Sequence, residues 1–158
     1  MKSLLTIVAC IFLLGACSNL PKKMPEDFNF VLKYGYEARD IVNTYENTYT
    51  KNMIEDEDIT IELVLTDNEK EAIYKEMRKA DILASAEKSS ESTCSDPHQE
   101  NELTLTLDGE TYEREWITSY CGKRADRKLK KFTEFIHTEI ISKKNEYNRL
   151  PEASGGYD

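Results

Sequence analysis

Phe28, Phe30, Leu32, Tyr34 and Tyr36 occupy every second position of one short stretch. Such alternation sends every large apolar side chain to one face of an extended strand, and that face must be covered. The same period recurs at Ile59, Ile61, Leu63 and Leu65, and again at Leu103, Leu105 and Leu107. A sheet with one apolar face therefore dictates the architecture. Between these runs, Thr66-Asp67-Asn68-Glu69 has the pattern of a capping box, and Ile73, Met77 and Ala80 follow at helical spacing. This predicts a helix over 67–82. Leu129, Phe132, Ile136 and Ile140 predict a second amphipathic helix over 125–146.

The connections follow from turn chemistry. Asp108-Gly109 lies between two alternating runs, and both residues tolerate positive φ, which is a strong hairpin signal. The run 43–53, rich in Thr and Tyr, predicts a second, more polar strand at a sheet edge. Glu55 to Asp58 is an acidic turn, and 85–101 is polar, Ser-rich and proline-containing, hence a long loop. The expectation is one α+β domain over 27–146, in the order β-β-β-α-β-β-α, with two helices on one face of an antiparallel sheet. The tail 147–158 contains Pro151, Gly155 and Gly156 and is expected to be extended. No internal repeat is visible.

Ahead of this domain lies a segment of another kind. Leu4 to Leu14 is apolar apart from Thr6, about half the ~20 residues that span a bilayer. With Lys2 before it, the run suits a cleaved export signal over 1–16. Leu14-Gly15-Ala16-Cys17 resembles the lipobox of bacterial lipoproteins. The resemblance implies cleavage before Cys17 and a diacylglycerol or palmitate-type anchor on its thiol; two or more acyl chains hold stably in a membrane. The competing readings are an ordinary secretory signal and an N-terminal membrane helix. The segment 17–26, with Pro21 and Pro25, reads as a lipidated tether, and Lys22 and Lys23 face either headgroups or water.

FNFVLKYGYEARDIVNTYENTYTK, with the ending RLPEASGGYD, resembles a family of small uncharacterised lipoproteins of Bacillus-type Gram-positive bacteria. The resemblance implies a location on the outer face of the cytoplasmic membrane and transfers no catalytic residues.

Charge and cysteine usage narrow the function. The chain has 158 residues and a net charge of −9, which becomes −10 once Lys2 leaves with the signal. Such a body repels phosphate backbones, so nucleic acid is not an expected partner. Of the four cysteines, Cys10 leaves and Cys17 is acylated. Cys94 and Cys121 then read as a disulfide in an oxidising compartment, contributing about 3–4 kcal/mol, with two buried thiols as the alternative.

Candidate chemistry is thin. Cys94, His98, Cys121 and His137 lack the spacing of a zinc site, and Glu55 to Asp58 lacks the spacing that makes Ca²⁺ ligands converge. No serine sits in a nucleophile motif, and carboxylates are too abundant to single out a glycosidase pair. No cofactor and no metal are expected, and the chain is not expected to be an enzyme. Tyr34, Tyr36, Tyr45, Asn47, Tyr49 and Trp116 could form an aromatic binding face, or else pack beneath the helices. An exposed strand around Tyr45 and Tyr49 could also accept a partner strand.

The chain is thus expected to be a monomeric, extracytoplasmic, membrane-anchored interaction module of the cell envelope with a protein or peptide partner. A structural or stress-related envelope protein without a ligand is the alternative, and a hydrolytic or metal-binding protein comes third. Intact-mass measurement of membrane-fraction protein checks the anchor and the disulfide together. The expected mass begins at Cys17 and carries acyl chains, and two thiols become alkylatable only after reduction.

Overall fold

In β1 (Asn29–Tyr34), Phe30, Leu32 and Tyr34 are buried while Asn29, Val31 and Lys33 stay partly exposed on the opposite side. The computed structural model describes residues 20–89, 98–119 and 124–155. Within them, β2 (Asp40–Asn43), β3 (Thr48–Lys51), β4 (Ile59–Glu62), α1 (Asp67–Ala80) and α2 (Ile82–Ser89) follow β1. Then come β5 (His98–Leu107), β6 (Glu110–Ser119) and α3 (Arg124–Phe135). A wider π-type turn over Ile136–Ile140, a 3-10 turn and the short α4 (Asn145–Asn148) complete the order. The six strands form one antiparallel sheet, in the order β4-β3-β2-β1-β5-β6.

The register places the apolar positions together. Leu32 lies opposite both Val42 and Leu103, and Phe30 opposite Leu105. These side chains join Tyr49, Leu107 and Trp116 on one face, against Ile73, Tyr74 and Met77 of α1 and Leu129 and Phe132 of α3. The α+β architecture is as expected, with the helices on one side. An antiparallel sheet covered on one side leaves its other face to water.

The strand count differs from expectation. The run 43–53 is not one strand: β2 starts at Asp40, and the chain reverses over 44–47. The Asn43 carboxamide oxygen accepts from the Tyr45 and Glu46 N–H groups, and Asn47 takes the left-handed conformation at φ 54°. These are the devices of an Asx turn. Thr44 continues the pairing with its side chain, accepting from Phe30 N–H at 2.7 Å and donating to Phe30 C=O at 3.0 Å. Consequently β3 lies inside the sheet, and the edges are β4 and β6.

The hairpin turn forms at Asp108 (φ 50°) and Gly109 (φ 78°), and both N–H groups donate to the Asp27 carboxylate at 2.9 and 2.7 Å. Those two bonds hold the Asp27 carboxyl below its ordinary range. The capping box at Thr66 and Glu69 is present, and Lys144 adds a 2.6 Å ion pair to the same Glu69. α2 was not expected. It starts directly after Asp81, whose left-handed geometry (φ 52°) ends α1, and it buries Ile82, Leu83, Ala84 and Ala86.

Leu32→Ala removes a fully buried side chain from the central strand and should cost about 2–5 kcal/mol. Val31→Ala, on the open face, should cost less than about 1 kcal/mol. Urea unfolding of both variants checks which face is the core.

Candidate functional site

The six residues expected to form an aromatic face do not share one. Tyr34, Tyr49 and Trp116 point into the core, at 5%, 0% and 2% exposure. Trp116 Nε1 is buried there without an acceptor among the described residues. Tyr36 and Tyr45 are exposed, but they stand past opposite ends of the sheet's central strand. Tyr45 reaches over the open face to Thr106 Oγ1 at 2.6 Å, and Asn47 is half-buried in the β2–β3 turn. The partner-strand reading at Tyr45 and Tyr49 is corrected as well, because β3 already has neighbours on both sides. Cys17, Cys94 and Cys121 lie outside the described residues, as does the His98 side chain.

The inward tyrosines instead build a polar network. The Tyr49 hydroxyl donates to Asp40 Oδ1 at 2.8 Å, and the Asn52 N–H donates to the same oxygen at 3.3 Å. The Tyr34 hydroxyl lies 3.0 Å from His137 Nδ1. The Tyr147 ring stands edge-on to both Tyr49 and His137, and Lys51 Nζ lies 5.3 Å from its centre. Burial pushes the Asp40 carboxyl up, against the Tyr49 and Asn52 hydrogen bonds and nearby His137, while the Asp58 charge adds to the rise. Burial raises Tyr34 and Tyr49 too, so both hydroxyls stay protonated.

Gly35 is needed beside this network. Its φ is +88°, and a Cβ there would stand 3.1 Å from Asp40 Oδ2. Arg39 holds Asp58 at 2.6 Å, and the Met53 N–H donates to the same carboxylate. Asp58, from the acidic turn weighed for Ca²⁺, is thus already engaged. Lys51 donates to Pro151 C=O, and Ser154 bonds to Met53 C=O through both N–H and hydroxyl. The network therefore pins the C-terminal segment to the end of the sheet. It joins residues from β1, β2, β3 and the last turns, separated by up to 103 positions between Tyr34 and His137.

The open face offers a different chemistry. One row across it reads Thr60, Thr50, Ile41, Lys33, Glu102 and Glu115, in the order of the strands. Glu102 and Glu115 are direct cross-strand partners, an arrangement of like charges that destabilises a sheet. Lys33 pairs with Glu102 at 2.6 Å and leaves Glu115 without a cation among the described residues. A groove of about 570 Å³ runs past Lys33, Glu102, Thr104, Glu113 and Glu115 and around the sheet edge to Arg114 and Glu87, which pair with each other. A second, of about 310 Å³, adjoins it at Glu100, Glu102, Glu115 and Ile117. Sequence reasoning missed this surface although the signal was available. A two-residue turn at Asp108-Gly109 makes Leu107 oppose Glu110, and counting back brings Glu102 opposite Glu115.

Among the described residues, no three His, Cys, Asp or Glu side chains converge as a metal site, and no helix is long and apolar enough to cross a membrane. No family model matches the chain, and comparison with curated proteins finds none similar to it.

A carboxyl raised by burial gives stability that is complete at low pH and is lost as pH rises through the raised value. Asp40→Asn keeps an oxygen for Tyr49 and Asn52 and removes that loss. Its melting temperature relative to the native protein should therefore climb as pH rises above the ordinary carboxylate range. Paired thermal melts at rising pH check it, and a difference independent of pH would contradict the buried-carboxyl account.

Proposed function

We propose that the chain is a monomeric, lipid-anchored extracytoplasmic protein acting as a non-enzymatic interaction module of the cell envelope. Its partner is a cationic peptide or protein segment that lies on the open face of the sheet. The observation that carries this reading is the opposition of Glu102 and Glu115 on an uncovered face, between two adjoining grooves. Like charges held opposite each other lower stability, and a bound Lys or Arg between them offsets that repulsion. A guanidinium suits the place best, since its fork can engage two carboxylates. Thr104, on the same hairpin, adds a hydroxyl for an extended backbone.

The anchor at Cys17 supplies the location. The membrane and an envelope protein or peptide are thus the two partners, and no cofactor is required. Support for the Cys94–Cys121 disulfide comes from the hairpin, whose open end pairs His98 with Ser119. Cys94 lies four positions before one strand and Cys121 two after the other.

Binding of an Arg/Lys-rich peptide, measured by calorimetry, tests the surface. Glu102→Gln with Glu115→Gln should weaken it about tenfold, the effect of losing charge-assisted contacts. Asp56→Asn with Glu57→Gln removes the same charge from an exposed turn and should change it little. Equal weakening by the two pairs would reduce the effect to net charge and overturn the assignment.

A further inference from the structure

Leu20 is 7% exposed and belongs to the hydrophobic core. The backbone after it is held on α1: the Tyr74 hydroxyl donates to Pro21 C=O at 2.9 Å, and the Arg78 guanidinium donates to Lys22 C=O at 3.2 Å. Most of the expected tether is therefore part of the domain, and with cleavage before Cys17 only Cys17, Ser18 and Asn19 would precede the docked residues. Three residues reach at most about 10 Å, whereas the nine of 18–26 would have reached about 30 Å. The difference matters because surface charge is felt only over a Debye length, about 8 Å at physiological salt.

On a chain of net charge −9, cations gather around the docked segment, although Glu26 and Asp27 follow in the same stretch and α1 balances four basic residues with four acidic ones. Lys22, Lys23, Lys75, Arg78 and Lys79 are exposed there. Lys75 and Lys79 pair with Glu71 and Glu76 of their own helix. Lys22, Lys23 and Arg78 form no ion pair among the described residues. α3 packs beside α1 and carries five basic residues against two acidic ones, of which Asp126 is buried. The open sheet face, on the other side of the core, presents Glu62, Glu102, Glu113 and Glu115.

We infer that the helix layer around Lys22, Lys23 and Arg78 docks onto anionic lipid headgroups, so that a three-residue leash and a basic patch hold the molecule in one orientation. The acidic open face is then directed away from the membrane, where a partner can reach it. Each cation near an anionic surface adds a small attraction, too little to bind alone but enough to orient a body already anchored. The inference rests on the acylation of Cys17 proposed above and adds to it a contact surface and a lipid class.

Amine-reactive footprinting of the full acylated chain on vesicles tests it. On mixed phosphatidylcholine and phosphatidylglycerol, Lys22, Lys23, Lys75 and Lys79 should react about fivefold more slowly than on phosphatidylcholine alone. Lys33, on the open face, should be unchanged. Inserting about fifteen Gly/Ser residues between Asn19 and Leu20 should restore most of the lost reactivity, since the leash then exceeds the screening length. Equal protection of Lys33 and Lys22, or protection that survives the insertion, would overturn the orientation while the anchor stands. A chain that carries no acyl group and does not float with vesicles would overturn the anchor, and the orientation with it.

Discussion

Everything in this fold depends on the register of β1. The strand pairs with β2 on one side and with β5 on the other, and a slip of one residue at either seam would carry Phe30, Leu32 and Tyr34 from the core to water. Local devices fix both seams. Thr44 exchanges two hydrogen bonds with Phe30 at the β2 side. Asp27, just before β1, caps the Asp108–Gly109 turn that sets the β5–β6 pairing. Once β1 is in place, the helix layer has only one face to cover.

The two faces then divide the electrostatics. On the covered side, Asp40 is sealed in hydrogen bonds by Tyr49 and Asn52, α1 balances four acidic residues with four basic ones, and α3 carries the basic excess. On the open side, carboxylates oppose one another with one lysine between them and the next strand. The acidic excess thus lies on the open face and the basic excess on α3. That asymmetry links the proposed partner surface to the proposed orientation at the membrane.

Much of this was legible in the sequence because it is local. Period-two alternation gave β1, β4 and β5, the Thr66–Glu69 box gave the start of α1, and Asp108-Gly109 gave the hairpin. What was missed depends on competition between local signals or on distance. The Tyr- and Thr-rich run 43–53 has strand propensity throughout, which masked the Asx turn at Asn43. α2 was hidden because its short Ala/Ser run carries no wide apolar stripe, yet Ile82 and Ala86 bury fully against neighbours. The aromatic face failed as a unit because Tyr34 and Tyr49 obey the strand period and turn inward, while Tyr36 and Tyr45 lie in turns. His137 joins Tyr34 only through the folded chain, and no spacing rule reaches that far.

The single parallel bridge between Ile54 and Ser154 has a consequence for the order in which the molecule is made. Residues 144–154 supply Lys144 to the cap of α1, Tyr147 to the rings around Tyr49, and Ser154 to Met53. Synthesis delivers that segment about a hundred residues after the strands it secures. A nascent chain can therefore pair β1 to β4 early, yet it holds an unsealed sheet end until its last turn emerges. Closure of that end of the sheet therefore waits on the segment synthesised well after the strands it joins.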